Sequence, residues 1–263
     1  MMNIEEYVRV SSCSEAYEIL NSVNGSAILG GCGYLRMGNR AISKGIDLSL
    51  LGLNQIIETD SDIEIGAMTS LRDIETNPIL KNNFNGSLCD CMENIVGIQL
   101  RSIVTIGGTV AGRYPFSDVL PVLMALGADV VLTGAGRVSL EDFMDGKHKS
   151  DVVEKIIIPK TSERVAYKSV RNSLVDYAIL NCVIALSDGE YKVVVGARPQ
   201  KAIRATKCEA FLKGKELTEE IAEEAAKIVA DELSFGDNVR GSAEYRKAVC
   251  VTLIKRALVG GAE

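Results

Sequence analysis

The chain has 263 residues, enough for one large domain or two modest ones at roughly 100 to 200 residues each. With 47% hydrophobic and 24% charged residues it lies in the globular range, which excludes disordered, collagen-like and low-complexity classes. Its 29 basic and 35 acidic residues leave a formal charge of -6 without any long basic run; phosphate neutralisation needs clustered cations, so nucleic acid is not an expected partner.

The first expected element is a helix. Ser12-Cys13-Ser14-Glu15 has the S-x-x-E capping-box form, and Ala16, Ile19 and Leu20 follow at helical spacing. Ser26-Ala27-Ile28-Leu29 reads as a strand closed by the glycine turn Gly30-Gly31-Cys32-Gly33. Ile63 to Ala67 alternates as a strand, and Ser70 can cap a helix through Leu71, Ile74 and Glu75 that ends near Pro78. Leu88 to Val96 is helical in spacing. The β-branched run Ile103-Val104-Thr105-Ile106 reads as another strand, closed by Gly107-Gly108-Thr109, so the order of helix, strand and double glycine repeats.

Ser117 or Asp118 can cap a buried helix that continues to Leu126, with strands to follow at Ala128 to Thr133 and Glu154 to Ile158. The polar stretch Lys160 to Glu163 is the expected domain boundary. Beyond it, strands at Val165 to Val170 and Tyr191 to Gly196 flank an apolar stretch from Tyr177 to Leu186. Thr218 caps a helix with Glu219 and Glu220 in its first turn and a buried stripe of Leu217, Ile221, Ala225, Ile228 and Leu233. Ser242 caps a last helix carrying Val249, Leu253 and Ala257 at i, i+4 spacing, so the final third is α+β.

Residues 1–7 lack the basic-then-apolar pattern of a signal peptide. The most apolar stretch, Val119 to Leu132, is interrupted by Pro121 and Asp129 and falls short of the ~20 residues a membrane span needs, so a cytoplasmic location away from membranes is expected. The 7 cysteines show no disulfide framework and read as reduced thiols. Cys89 and Cys91 lack the second pair that would complete a zinc or iron-sulfur ligand set, so they read as helix-face cysteines and no metal site is assigned. His148, the single histidine, reads as a solvated loop residue, which leaves no nucleophile-histidine constellation and no catalytic residue to name.

Gly31-Cys32-Gly33-Tyr34-Leu35-Arg36 nearly matches the dinucleotide fingerprint, but Arg36 stands where the third glycine must let helix and strand pack closely; a Rossmann fold is rejected. Neither Gly146-Lys147 nor Gly214-Lys215 completes a Walker A motif. What remains is two glycine pairs, Gly30-Gly31 and Gly107-Gly108. Each alone is consistent with an ordinary turn. Together they can turn successive N–H groups onto one pyrophosphate, each charge-assisted bond contributing roughly 1.5 to 3 kcal/mol.

These residues resemble the FAD-binding medium subunits of the molybdenum hydroxylases, the group of xanthine dehydrogenase and carbon monoxide dehydrogenase. Ile28 to Leu35 is similar to the family's first flavin loop and Thr105 to Thr109 to its second, T-I-G-G-N. Gln99-Leu100-Arg101 resembles Q-I-R, and Pro115 to Pro121 resembles P-x-S-D-x-x-P. Lys168 to Ala178 is similar to K-x-x-R-R-x-x-x-D-x-A, and Ala243-Glu244-Tyr245-Arg246 to A-E-Y-R. The departures are Cys32-Gly33 for Thr-Asp, Thr109 for Asn and Asn172 for the second Arg.

The resemblance implies an α+β fold: a two-subdomain FAD-binding domain of the vanillyl-alcohol-oxidase/MurB-like, PCMH type over residues 1–160 (subdomains about 1–57 and 58–160). A small α+β C-terminal domain of three strands plus helices follows over 161–263. It implies that Leu29, Gly30, Gly31, Cys32, Gly33, Tyr34, Leu35 and Arg36, with Thr105, Ile106, Gly107, Gly108 and Thr109, hold the FAD pyrophosphate. It further implies that Asp118 binds ribityl or adjacent sugar hydroxyls, that Lys168 lies near the flavin's pyrimidine edge, and that Val96 and Ile158 pack on the cofactor. Helix capping for Asp118, a solvated strand position for Lys168 and core packing for Val96 and Ile158 stand beside those roles.

The implied function is electron transfer within a heteromeric oxidoreductase. A molybdenum-cofactor large subunit carrying molybdopterin hydroxylates the substrate, a [2Fe-2S] small subunit delivers electrons, and FAD on this chain passes them to NAD or another acceptor. Two alternatives stay open: a flavin-free assembly or interaction subunit of such a complex, and a stand-alone flavin oxidase of the same fold.

Overall fold

The computed structural model describes residues 2–260; Met1 and residues 261–263, the extremes of the two expected domains, lie outside the described residues. The strands are β1 (Asn3–Arg9), β2 (Ala27–Leu29), β3 (Ala41–Asp47), β4 (Ile56–Glu58), β5 (Asp62–Gly66), β6 (Asp129–Leu132), β7 (Gly136–Ser139), β8 (Val153–Pro159), β9 (Ser162–Arg171), β10 (Ala178–Ser187), β11 (Glu190–Gly196) and β12 (Ile203–Arg204). The helices are α1 (Cys13–Ser22), α2 (Leu71–Thr76), α3 (Pro78–Asn82), α4 (Ser87–Glu93), α5 (Ile98–Arg101), α6 (Ile106–Gly112), α7 (Val119–Ala125), α8 (Leu140–Met144), α9 (Thr206–Leu212), α10 (Glu219–Glu232) and α11 (Ala243–Val259). Among the described residues no helix is long and apolar enough to cross a membrane. Two compact units form, and they interleave along the chain. One holds the chain up to Ile74, Ile98–Gly112 and Gly127–Ile158; the other holds Glu75–Gly97, Arg113–Leu126 and the chain from Pro159.

In the first unit β3 is the middle strand of a parallel sheet of order β1-β3-β2, and Arg9, Asp47 and Leu29 are in register where the three strands end. The α1 helix begins where the Ser12 hydroxyl accepts the Glu15 N–H at 3.1 Å, while the Glu15 carboxylate reaches back to the Ser11 N–H and hydroxyl. It places Ala16 in a core with Val10, Ile46, Leu48 and Val152. A second sheet runs in the order β4-β5-β8-β6-β7.

The expected strand at Ile103 to Ile106 does not form. The chain instead leaves α5 in a turn, where the Leu100 carbonyl accepts the N–H groups of Ile103 and Val104 at 3.1 and 3.0 Å, and enters α6 at Ile106. Only the isolated bridge between Ser70 and Thr105 is sheet-like. The β-branched composition promised a strand, but tertiary hydrogen bonding to the β5–α2 connection outweighs that preference, with Val104 accepting from Leu71 and Ile106 donating to Thr69.

In the second unit an antiparallel sheet of order β12-β11-β10-β9 has three long strands and the two-residue β12. Its interior strand β10 is buried at eight consecutive positions, Ala178 to Ala185. Cys182 and Ile184 pack toward α9, α10 and α11, and the opposite face meets α7. Burial on both faces explains an unbroken apolar run whose periodicity fits strand and helix alike. Thr218 and Ser242 cap α10 and α11 as expected, accepting from the N–H groups of Ile221 and Tyr245.

Arg246 on α11 is fully buried. Its Nε donates to the Ile179 carbonyl at 2.9 Å, Nη1 to the carbonyls of Gly236 (2.7 Å) and Gly241, and Nη2 to Asn238 Oδ1 at 2.6 Å. Arg246→Met takes the guanidinium donors from the carbonyls of Ile179 and Gly236, at roughly 1 to 3 kcal/mol for each buried group, while Gly241 keeps the Asn238 N–H and Asn238 Oδ1 the Arg240 N–H. Urea unfolding is expected to show a loss of at least about 2 kcal/mol on that basis; a midpoint unchanged from wild type would remove Arg246 as the brace of these loops.

Candidate functional site

The first unit brings the two glycine pairs together. Leu29 ends β2, Gly30 to Tyr34 form the connecting loop, and Leu35 and Arg36 lie in a 3-10 turn at Leu35–Met37. Gly31 has φ +66° and a Cβ there would overlap the Ile103 carbonyl, so both conformation and contact require glycine. Cys32 continues in the left-handed region at φ 55°. Among the described residues the amides of Gly31, Cys32 and Gly33 have no protein acceptor. Successive unpaired N–H groups along a left-handed turn make an anion nest, which fits a diphosphate.

The second pair acts differently from the expected mirror-image nest. Its amides are already bonded: Gly107 to the Ala67 carbonyl at 2.8 Å, Gly108 to the Thr105 hydroxyl at 3.2 Å, and Thr109 to the Thr105 carbonyl at 3.0 Å. What Gly108 provides is room, since a Cβ there would sit 2.9 Å from the Gly30 carbonyl oxygen, and one on Gly30 would sit 2.9 Å from Thr105 Oγ1. Thr105 and Ile106 are buried beneath this contact. Burial and Asp47 raise the Cys32 thiol pKa, which leaves it a slow nucleophile near neutral pH that reacts with alkylating reagents at higher pH. Ile158, also of this unit, is fully buried at the end of β8.

Val96, Asp118 and Lys168 belong to the second unit. Val96 is half exposed at φ 51° just after α4. The Ser117 hydroxyl caps α7 by accepting the Leu120 N–H at 3.1 Å, and Asp118 makes no cap. Its Oδ1 instead accepts from Arg171 Nη2 (2.8 Å), the Tyr167 hydroxyl (2.7 Å) and Asn181 Nδ2 (2.9 Å), all in the interior. Burial pulls the Arg171 pKa down, but Asp118 and Tyr167 outweigh it and the net shift is upward, so the cation persists. Burial, reinforced by Asp118, pushes the Tyr167 hydroxyl well above its usual range and keeps it a donor.

Lys168 lies on the other face of β9. There it joins Glu219, Glu223, Lys255 and Arg256 around a cleft of about 720 Å³. Beside the Asp118 cluster stands an aromatic stack that the sequence reading did not single out: Tyr114 on Phe116 with centroids 5.1 Å apart, Phe116 on Tyr177 at 4.6 Å, and the Arg240 guanidinium 4.7 Å from the Tyr177 ring. Strand alternation was the available signal for Arg171, because an offset of three from Lys168 turns it to the opposite face.

A model of the FAD binding domain in molybdopterin dehydrogenase matches residues 2–161, and one of the CO dehydrogenase flavoprotein C-terminal domain matches residues 165–259. The chain belongs to the FAD-binding medium subunits of the molybdenum hydroxylases. This medium subunit is 28% identical to the glyceraldehyde dehydrogenase medium chain of Sulfolobus acidocaldarius over 95% of this chain and 96% of that one. It is 27% identical to the carbon monoxide dehydrogenase medium chain of Hydrogenophaga pseudoflava, covering 96% and 95%. A solved structure of carbon monoxide dehydrogenase from Hydrogenophaga pseudoflava superposes with a TM-score of 0.90 at 26% identity, over 98% of this chain and 96% of that chain. The subunit is thus a flavoprotein component of an oxidoreductase, with FAD as its own cofactor.

Gly107→Val puts a branched side chain against Ala67, whose Cβ lies 2.6 Å from the position a Cβ on Gly107 would take. Loss of FAD retention and a lower unfolding temperature are the expected outcomes. Full flavin occupancy in the purified variant, read from its visible absorbance, would contradict a pyrophosphate site at this contact.

Proposed function

We propose that this subunit is the electron relay of its complex: FAD held here receives electrons from an iron-sulfur small subunit and passes them to NAD or another acceptor, while a molybdenum-cofactor large subunit oxidises the substrate. The observation that carries the reading is the run of open amides at Gly31, Cys32 and Gly33, held against the Ile103 carbonyl and the Gly108 backbone. When bound, flavin supplies a centre that takes up electrons singly and releases them in pairs. The chain's own part is to bind the diphosphate with neutral N–H donors and to hold two backbone segments in contact beneath it.

In this proposal Leu29 to Arg36 provides the amide donors and Thr105 to Thr109 the close backbone approach that shapes the cradle. Ile158 is proposed as a packing residue. Val96, Asp118 and Lys168 are proposed as cofactor contacts on the family resemblance. A cytoplasmic location goes with the reading and accords with cysteines that are all unpaired among the described residues.

Purified protein is expected to show the two visible flavin bands, or to regain them on adding FAD. A colourless chain that takes up no FAD would overturn the reading and leave a flavin-free interaction subunit. Site assignment has its own readout: Cys13 and Cys32 are the partly exposed thiols, the other five being buried. Alkylation followed by peptide mass spectrometry should show that FAD slows modification of Cys32 and leaves Cys13 unchanged; equal rates with and without FAD would move the pyrophosphate away from this loop.

A further inference from the structure

The β9 strand forms one margin of the antiparallel sheet in the second unit. At Val165 that margin is closed: the Val165 N–H donates to Asn85 Oδ1 at 2.9 Å and its carbonyl accepts the Ser87 hydroxyl at 2.9 Å. Both Val165 groups therefore point away from β10. Pairing with β10 runs without a shift from Val165 to Val170, and strand geometry repeats every two residues, so the N–H and carbonyl groups of Tyr167 and Ser169 also face outward. These four groups have no partner among the described residues. An open strand margin is a template for another chain.

Beside it runs the cleft of about 720 Å³, lined by β9 at Lys168, Ser169 and Val170, by the start of α10 and by the second half of α11. The Ser169 side chain turns to the face opposite Lys168, so its place in the lining brings the cleft to the strand's outer edge. The walls are braced: Arg164 Nη2 donates to the Leu258 carbonyl, tying β9 to α11, and Lys255 bridges to Glu223 on α10 at 3.2 Å. Val170, Val251 and Val259 are half-buried and give an apolar floor. Glu223 is satisfied by Lys227 and Lys255, and Glu219 stands in the first turn of α10, where the helix N-terminus favours an acid. Lys168 and Arg256, on β9 and α11, have no acceptor for their side-chain charge among the described residues.

We propose that this margin is a docking groove for an extended acidic segment of another polypeptide, which adds to β9 as a further strand. Its backbone pairs with Tyr167 and Ser169, its apolar side chains lie on the valine floor, and its carboxylates meet Lys168 and Arg256. Charge complementarity selects the occupant, because a basic segment would face two unpaired cations. For Lys168 this role competes with the flavin contact proposed above, and competition by FAD decides between them.

The test titrates a short fluorescent peptide of alternating glutamate and valine with the full-length chain and follows its anisotropy. Expected are saturable binding unaffected by FAD and a weakening of at least about tenfold in Arg256→Glu, the scale of one charge-assisted hydrogen bond. N-methylating the amides of one alternate set, those facing β9, should abolish binding by the wild-type chain, while methylating the other set leaves it intact; this comparison stands even where R256E does not fold. Retention of full affinity by both methylated peptides reduces the cleft to a small-anion site and overturns strand addition. Displacement of the peptide by FAD returns Lys168 to the cofactor and overturns the groove. A wild-type chain that does not bind the peptide overturns the proposal, and where that chain is dimeric the margin belongs to a second copy instead.

Discussion

The proposed cofactor cradle of the first unit depends on one steric constraint: the backbone of Gly30 and Gly31 lies directly against the backbone of Ile103 and Gly108. No side chain fits between them. That contact ties the end of β2 to the start of α6, bends the chain through two left-handed residues, and leaves three amides without an acceptor among the described residues. A run of successive amides without protein acceptors, turned to one side by left-handed residues, makes physical sense as a cradle for an anion that completes the bonding. The second glycine pair supports the cradle by its absence of side chains, its own N–H groups being occupied.

The second unit works by charge. Asp118 gathers three donors on one oxygen, and the resulting cluster links the segment before α7 to β9 and β10. A buried ion pair is weak as a source of stability, because desolvation offsets most of the attraction, yet breaking it leaves an uncompensated charge. Such a pair specifies geometry more than it adds stability. Arg246 solves a similar problem for the loops around Gly236 to Gly241, with carbonyl oxygens in place of a carboxylate.

Local chemistry made much of this legible in advance. Ser12, Ser70, Ser117, Thr218 and Ser242 each accept a hydrogen bond from a first-turn N–H, because a cap needs only its own residue and the next three. The glycine pairs marked the cradle, and six short segments marked the family. By contrast, β1 and β3 left no readable trace. β1 is mostly exposed and carries charges on both faces, β3 contains Gly45 and Lys44, and their pairing is parallel between segments more than 30 residues apart, which no short-range pattern encodes. Ile103 to Ile106 misled for the opposite reason: a strong local preference was overruled by hydrogen bonds from residues 67 to 71.

The sequence by itself therefore determined the family, the cofactor, the helix starts and the positions where backbone must approach backbone, since these are properties of single residues and their immediate neighbours. Only the tertiary structure decided which glycine loop offers donors and which offers space, and that the cation meeting Asp118 is Arg171, on the face of β9 away from Lys168. Those outcomes depend on which groups already have partners elsewhere in the fold, and a hydrogen bond between residues 53 positions apart leaves no mark on either segment alone.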